Sequence, residues 1–335
     1  MAGQWTQMSV ETSASFRGLS AIGGMVMWAS GTNGTVIRTT DGGEHWDVRI
    51  VEGAEKLDFR GVVAFDGENA VVMSSGNAEE GLARIYTTQD GGKNWKLAFE
   101  NKTKGVFLDG MAFWDREHGI VLSDPVDGKF VLFATSDGGQ NWKRIVPEKM
   151  PAALPQEGSF AASNSSLVVQ GGNDVWFATG GAGTGRVFHS ADRGVSWTVA
   201  ESAIFAKSAS MGIFSLAFED EKHGVAVGGD YAHPGEVSGT NVNVTSDGGV
   251  TWQGMTAGNV PNVYFSSVTY KLAKHCDGPV GLLAGGTQGI YEVETGGTAR
   301  QVSEFNVNVV MQPEAGIVWA VGAKGMVVVR RDLGE

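Results

Sequence analysis

The feature that most constrains the fold of this chain is a short motif that occurs five times. The copies read TTDGGEHW, TQDGGKNW, TSDGGQNW, SADRGVSW and TSDGGVTW, and their aspartates are Asp41, Asp90, Asp137, Asp192 and Asp247. All five fit the Asp-box pattern S/T-x-D-x-G-x-x-W, and successive aspartates lie 49, 47, 55 and 55 residues apart. A repeat of this length indicates that one supersecondary unit recurs along the chain.

Each copy of the motif predicts a tight turn between two antiparallel strands. An aspartate that opens a turn can accept a backbone N–H two residues on, and glycine tolerates the positive φ that such turns need. The tryptophan is expected to pack between neighbouring sheets. We therefore interpret the five aspartates as structural turn residues and not as ligands.

The segments before the boxes have the composition of β-strands. A strand-rich run with glycines precedes each box, as at residues 26–40, and a further strand precedes that run, as at residues 16–22 and 59–65. Each unit thus supplies four strands, named a to d from the axis outward, with the box between c and d. Four-stranded antiparallel units in series predict a β-propeller.

The number of blades follows from the units that lack a box. Residues 280–297 and 317–335 keep the strand pattern without the motif, so five plus two units make seven blades. The last unit stops where a box would begin, and residues 4–10 resemble the end of a unit. We therefore predict an all-β, seven-bladed propeller over residues 1–335, a single domain whose ring the N-terminal strand closes, which also protects exposed sheet edges.

Charge and cysteine content exclude several classes of protein. The formal net charge is −12, with 37 acidic and 25 basic side chains, which argues against nonspecific nucleic-acid binding. The single cysteine, Cys276, cannot form an intramolecular disulfide and so does not indicate a compartment. No apolar run is long enough for a membrane span, and the first residues lack a signal-peptide pattern. We expect a soluble chain that is cytoplasmic, or periplasmic or secreted if an export signal lies outside this sequence.

Particular segments resemble a known family. The order SFRGLSAI, WASGTNGTVIRTTDGG and Trp in the first unit resembles the photosystem II stability/assembly factor-like family of Asp-box propellers, which are bacterial and plastid proteins. The resemblance spans the chain and implies a propeller that binds or assembles protein partners. Residues 124–130, 160–163, 212–218 and 228–231 are similar to a bacterial branch often labelled "oxidoreductase".

The sequence itself gives no support to redox chemistry, a cofactor or a metal. It has no βαβ unit with a GxGxxG motif and no CxxC pair. His275, Cys276 and Asp277 are adjacent and not spaced as metal ligands usually are, and the other histidines are scattered. We predict no cofactor and no metal site.

A candidate ligand site follows from loop lengths. In a four-stranded blade the b–c and d–a connections lie on the face opposite the Asp-boxes, and long connections are expected on this face at residues 74–83, 123–129, 147–158 and 228–241. These loops and the starts of strands a are expected to form an axial mouth for a polar ligand such as a sugar, a carboxylate or a peptide. The candidate residues are Arg17, Arg60, Asp109, Asp124, Asp127, Lys129, Glu157, Arg186, Asp230, Tyr231 and His233.

A structural interpretation of these residues is also open. Arg17 and Arg60 occupy equivalent repeat positions, and ion pairs with neighbouring carboxylates at the blade entrances would explain them equally well. Asp124, Asp127 and Asp230 lie in turns with glycine or proline, where aspartate is common for local reasons.

Two functional hypotheses remain at this stage. The first is a noncatalytic binding or assembly scaffold for a protein partner or a polar ligand. The second is a carbohydrate-active enzyme, either sialidase-like, with Arg17, Arg60, Arg186 and Tyr231, or a glycosidase or lyase that uses two of the mouth carboxylates. The sialidase motif Phe-Arg-Ile-Pro is not present, since Gly18 follows Phe16-Arg17.

Overall fold

The chain folds into seven four-stranded antiparallel sheets. The computed structural model describes residues 3–236, 239–255, 258–274, 276, 278–294 and 296–332. These residues contain 28 strands and one 3₁₀ turn at Ala78–Glu80. The innermost strands of successive sheets contact one another in chain order, and the last contacts the first, so the sheets form a closed ring. The predicted seven-bladed, all-β propeller is confirmed.

The blades are numbered in chain order, and their strands run from the axis outward. Blades 1 to 3 comprise β2 Phe16–Ile22, β3 Val26–Gly31, β4 Thr35–Thr39 and β5 Asp47–Ile50; β6 Phe59–Ala64, β7 Ala70–Ser74, β8 Ala83–Thr88 and β9 Lys96–Asn101; β10 Leu108–Phe113, β11 His118–Val126, β12 Lys129–Ser136 and β13 Lys143–Ile145. Blades 4 and 5 comprise β14 Leu167–Gln170, β15 Asp174–Ala178, β16 Gly183–Ser190 and β17 Thr198–Ala206; β18 Met211–Phe218, β19 Gly224–Asp230, β20 Val242–Thr245 and β21 Gln253–Gly254. Blades 6 and 7 comprise β22 Ser267–Leu272, β23 Pro279–Gly286, β24 Gly289–Val293 and β25 Ala299–Ser303; β26 Val309–Glu314, β27 Ile317–Val321, β28 Val327–Arg331 and β1 Trp5–Gln7.

The N-terminal strand completes the last blade. β1 pairs antiparallel with β28, with Trp5 opposite Arg330. The backbone N–H of Met8 donates to the carbonyl of Val327 at 2.9 Å, so pairing continues just beyond the strand. The guanidinium of Arg330 lies 5.5 Å from the centre of the Trp5 ring. Closure by the first residues of the chain is therefore as predicted.

The core lies between blades and not within them. In β7 all five side chains, which alternate between the two faces of the sheet, are buried. One apolar cluster joins Trp28 and Val36 of blade 1 to Phe59 and Val72 of blade 2, and similar clusters fill the other interfaces. Because both faces of a blade are covered, the middle strands read as continuous apolar runs.

The Asp-boxes are hydrogen-bonded turns, with one difference from expectation. Asp41 accepts the backbone N–H of His45, four residues on, at 3.0 Å, and not an N–H two residues on. A hydrogen bond between residues two apart does occur, but in it Asp41 is the donor: its backbone N–H donates to the side-chain hydroxyl of Thr39 at 3.3 Å. That hydroxyl donates to Asp41 and accepts from Gly43, both at 2.8 Å. The other four boxes repeat these bonds.

The box tryptophans pack between blades, as expected. Trp46 meets Trp319 of blade 7 edge to face, with ring centres 6.1 Å apart, and Trp95 meets Trp28 of blade 1 at 6.2 Å. The second glycine of the turn lies on the same neighbouring ring: a Cβ at Gly43, whose φ is +92°, would stand 3.2 Å from Trp319. Positive φ and close contact together require glycine there.

Polar side chains near the axis join every blade to the next. Serine hydroxyls or asparagine amides bridge each junction, a pattern that sequence analysis did not predict. In order from the junction of blades 1 and 2 to that of blades 7 and 1, the bonds are Ser20 with the Ala64 N–H, Ser75 with the Leu108 carbonyl, Asn164 with both backbone groups of Met111, Ser165 with the Ser215 hydroxyl, Ser215 with the Val268 N–H, Ser267 with the Val310 N–H, and Asn308 with the Phe16 carbonyl. Each bond satisfies a buried or partly buried polar group.

The predicted long loop at residues 123–129 is wrong. β11 and β12 extend to Val126 and from Lys129, so only Asp127 and Gly128 connect them. Both have positive φ, +52° and +75°. An Asp-Gly pair in this conformation makes a two-residue hairpin turn whose twist suits the flanking strands.

The described residues contain no helix with the length and apolarity that crossing a membrane requires. Two predicted features lie partly outside the described residues: His275 and Asp277 of the adjacent His-Cys-Asp group, and residues 237–238 of the loop at 228–241.

Removal of residues 1–10 should destabilise the whole ring, because it leaves the edge of β28 unpaired and uncovers apolar surface beneath Trp5. We expect a lower and broader thermal transition by calorimetry, and partial recovery when a peptide of residues 1–10 is added. An unchanged cooperative transition in the truncated protein would contradict closure by this strand.

Asp137→Ala should lower stability by about 1 kcal/mol, because it removes the acceptor of the Asn141 N–H, a bond of 2.9 Å. Urea denaturation at neutral pH measures the change. Exposed Glu52→Ala serves as the control and should leave the midpoint unchanged. Equal midpoints for the two variants would show that the box aspartate is not structural.

Candidate functional site

A pocket of about 550 Å³ opens at the axis on the face that carries the b–c and d–a loops. It lies where the first residues of the innermost strands converge. Its lining residues are Arg17, Arg60, Phe107, Asp109, Asp124, Ser159, Phe160, Ala161, Ala162, Phe214, Tyr231, Tyr264, Thr287 and Asn308. Of the eleven residues predicted for the mouth, the pocket brings together Arg17, Arg60, Asp109, Asp124 and Tyr231.

In four blades, a β-bulge at the start of strand a turns one side chain toward this pocket. The pairing of strands a and b shifts register across Arg17, Arg60, Asp109 and Phe214 in blades 1, 2, 3 and 5. A bulge re-aims the side chain of the extra residue. The repeat therefore offers equivalent positions at which the residue type differs, and alignment of IFS at residues 213–215 with the FRG segments would have revealed Phe214.

The two arginines differ in the hydrogen-bond partners of their guanidinium groups. Arg60 donates from Nε to Asp58 at 2.7 Å and from Nη1 to the carbonyl of Ala161 at 3.3 Å. The structural interpretation, an ion pair at the blade entrance, therefore describes Arg60. The Nε–H of Arg17 is buried and has no hydrogen-bond partner among the described residues. Burial and the neighbouring Arg60 lower the pKa of Arg17.

Two carboxyls of blade 3 line the same pocket. Asp109 is buried, with 1% of its surface exposed, and its Oδ2 has no partner among the described residues. Burial, reinforced by nearby Asp124, raises the pKa of Asp109 well above its ordinary value. Burial also raises the pKa of Asp124 to about 6, although its carboxylate accepts the N–H of Ser159 at 3.0 Å. Burial therefore favours the neutral form of Asp109, which can donate a hydrogen bond.

Aromatic rings form the opposite wall. Phe160 stacks on Phe214 with ring centres 3.9 Å apart, and Tyr264 meets Phe214 edge to face at 4.8 Å. Tyr231 stands perpendicular to Phe214 at 6.0 Å and is 53% exposed. Of these rings, only Tyr231 was predicted from the sequence to line the mouth, although Phe160 and Phe214 lie in segments that resemble the bacterial branch of the family.

Glu157 and Arg186 are placed apart from the pocket lining. They form a buried, two-pronged ion pair, with Arg186 Nε 2.7 Å from Glu157 Oε1. Glu157 also accepts the N–H of Leu154 at 2.8 Å, and Arg186 donates to the carbonyl of Ala152 at 3.0 Å. The pair thus holds the connection between blades 3 and 4 against blade 4.

The remaining predicted mouth residues are not among those that line the pocket. Asp230 accepts the N–H of Ala232 at 2.9 Å and is hydrogen-bonded to His233 at 3.0 Å, so these residues shape the loop that carries Tyr231. Asp127 and Lys129 are exposed at the hairpin turn of blade 3 and do not line the pocket.

The Asp-box face has features of its own. An axial opening of about 310 Å³, lined largely by apolar side chains of the inner strands such as Val63 and Met311, lies toward that face. On the surface, Asp41, Glu44 and His45 bring potential metal-ligating atoms within 4.8 Å of one another. The carboxylate of Asp41 is already engaged by its turn and by His45, which accounts for this cluster without a metal.

Fold and site together define an Asp-box β-propeller of seven blades with a polar and aromatic axial pocket. Residues 1–106 match a family profile described as photosynthesis system II assembly factor YCF48, which confirms the resemblance to that family over this part of the chain. A search of curated proteins gives no significant match.

Comparison with solved structures supports the fold. The chain is similar to a structure titled "YCF48 bound to D1 peptide", with a TM-score of 0.66, 15% identity and 100% coverage of both chains. It is similar to YCF48 from Cyanidioschyzon merolae, with a TM-score of 0.69, 18% identity and coverage of 98% of this chain and 99% of the other. The WD40 propeller domain of Doa1 gives a TM-score of 0.61 at 12% identity, covering 99% and 97%. At these identities the likeness shows the fold alone.

Asp124→Asn should change how stability depends on pH. The pKa of Asp124 is about 6 when folded and near 4 in an unfolded chain. The folded protein therefore binds more protons between these values, and wild-type stability should fall as pH rises through the window, by about 2 kcal/mol relative to the variant. Urea midpoints of both proteins from pH 4 to 7, values that bracket the window, measure the difference. A constant difference would contradict a raised pKa.

Proposed function

We propose that this protein is a noncatalytic binding scaffold that recognises a protein partner, or a polar group of one, on the face that carries the b–c and d–a loops. The axial pocket is the recognition site. The Asp-boxes on the opposite face serve the fold.

The observation that carries this proposal is a set of buried polar atoms that face the pocket without partners in the described residues. They are Nε of Arg17, Oδ2 of Asp109 and Oγ1 of Thr287. Buried polar groups in proteins are nearly always hydrogen-bonded, and an unpaired one costs about 1–3 kcal/mol. Polar groups that converge in one pocket beside an aromatic wall are typical of a ligand site.

The comparisons support a binding role. A solved structure with the same fold is titled as YCF48 bound to D1 peptide, and the family profile that matches residues 1–106 is described as an assembly factor. The peptide in that structure favours a protein partner for this chain over a free sugar.

The carbohydrate-active alternative keeps one supporting observation. Asp109 and Asp124 line one pocket and have raised pKa values, as general acids of glycosidases do. The sialidase-like version has less support, because Arg186 is paired with Glu157 and is not among the residues that line the pocket. Turnover of a glycoside panel that Asp124→Asn abolishes, with the fold intact, would favour the enzyme.

Site-specific photo-crosslinking in the source organism tests the binding function. A photoreactive amino acid at Tyr231, on the pocket rim, should form adducts with a partner protein, whereas the same residue at Gln140, exposed in the Asp-box of blade 3, should not. Arg17→Gln should remove the Tyr231 adducts. Adducts formed from position 140 alone would place the partner on the other face and refute the proposal.

A further inference from the structure

We propose that the axial pocket takes an aromatic carboxylate group, with its ring against the wall of Phe160, Phe214 and Tyr231 and its carboxylate at Arg17. This inference rests on the proposed binding function and names the chemical class of the ligand.

The pocket has two walls, which different blades of the ring contribute. Arg17, Arg60 and the two carboxyls come from blades 1 to 3. Most of the aromatic side chains come from blades 4 to 6 and the connections into them, and one further ring, Phe107, precedes strand a of blade 3. The two walls are close to each other where Tyr264, just before strand a of blade 6, contributes to the pKa of Arg17 in blade 1. A ligand whose charged group is adjacent to a flat apolar group would contact both walls at once.

The charges of the pocket select an anion at Arg17. Asp58 neutralises Arg60 through a 2.7 Å ion pair, and burial favours the neutral form of Asp109. The carboxylate of Asp124 accepts a hydrogen bond from the backbone N–H of Ser159. Arg17 thus presents a partly buried guanidinium whose buried Nε–H has no partner among the described residues, and a carboxylate supplies the planar pair of acceptor oxygens that matches it.

Two further donors are placed to complete the site. The hydroxyl of Thr287, at the turn between strands b and c of blade 6, is buried without a partner in the described part of the chain. The buried Oδ2 of Asp109 also has no partner among the described residues, and in the neutral form that burial favours it can donate an O–H to a polar substituent of the ligand. A neutral sugar could use these donors and stack on the rings, but it would bring no charged acceptor to the buried Nε–H of Arg17.

The aromatic wall selects the remainder of the ligand. The Phe160 ring, which stacks on the buried Phe214, and the perpendicular Tyr231 ring form a surface on which a further ring can pack edge to face. Such contacts stabilise ring pairs beyond the burial of their area. The half-exposed Tyr231 is the ring that an incoming group would cover.

This chemistry has two possible sources, a free aromatic acid and the C-terminal phenylalanine or tyrosine of a partner chain. Isothermal titration calorimetry with 3-phenylpropionate and with the peptide Gly-Ser-Gly-Ser-Gly-Phe, each compared with its uncharged amide, distinguishes them. We expect at least roughly tenfold weaker binding of both amides, since a charge-assisted hydrogen bond contributes that much or more. A peptide that binds much more tightly than 3-phenylpropionate identifies a chain terminus as the source.

Variants locate the interaction. Arg17→Gln should weaken binding of the acids at least roughly tenfold and remove the preference for acid over amide. Arg17→Lys, which keeps the charge but not the planar fork, should fall between. Tyr231→Ala changes an exposed ring and should weaken acid and amide alike. Arg144→Gln, which removes an exposed positive charge on the outer strand of blade 3, should change nothing.

The inference fails if acids and amides bind equally, if neither binds at millimolar concentration, or if folded Arg17→Gln binds as the wild type does. Circular dichroism establishes that each variant is folded, and Tyr231→Ala provides a second test if Arg17→Gln does not fold. Photo-crosslinking of a partner from position 231 without any binding of the acids would overturn the ligand class and leave the proposed function standing.

Discussion

The structure depends on one constraint: each blade is apolar on both faces and must be covered by a neighbour on each side. A row of such sheets would leave two uncovered faces, and only a closed ring leaves none. The chain closes the ring by pairing β1 with β28, so its two ends lie in one sheet. Hydrogen bonds that serine and asparagine side chains near the axis donate or accept then fix each junction.

Blades 6 and 7 lack the box, and ion pairs add to the apolar cluster and the serine bond at their junction. Glu292 of blade 6 accepts bonds from Lys271 at 2.9 Å, Arg300 at 3.0 Å and Arg330 of blade 7 at 2.8 Å. Although partial burial would raise the pKa of Glu292, these cations hold it at about 2. Arg330 also covers the ring of Trp5, so charge and aromatic packing act where a box tryptophan is missing.

Closure also creates the site. Seven strand starts meet at the axis, and the bulges in blades 1, 2, 3 and 5 turn Arg17, Arg60, Asp109 and Phe214 inward. Because these positions are equivalent, differences among their side chains contribute three polar groups from blades 1 to 3 and one aromatic ring from blade 5, and the connecting loops add Phe160, Tyr231 and Tyr264. The same convergence causes the desolvation that raises the pKa of Asp109 and buries the Nε–H of Arg17, which has no partner among the residues that the structure describes.

The sequence by itself determined the blade count, the turns and the closing strand, because box spacing, glycine positions and strand alternation are local or periodic properties. It also indicated Arg17, Arg60, Asp109, Asp124 and Tyr231 through loop length and repeat position. The hairpin at Asp127-Gly128 is a local signal, an Asp-Gly pair between two apolar runs, that the loop-length argument did not use. Only the tertiary structure decided that Glu157 and Arg186 pair with each other and that Phe160, Phe214 and Tyr264 line one pocket with the charged residues. Those outcomes depend on which side chains meet from segments distant in sequence, and no local pattern encodes such distances.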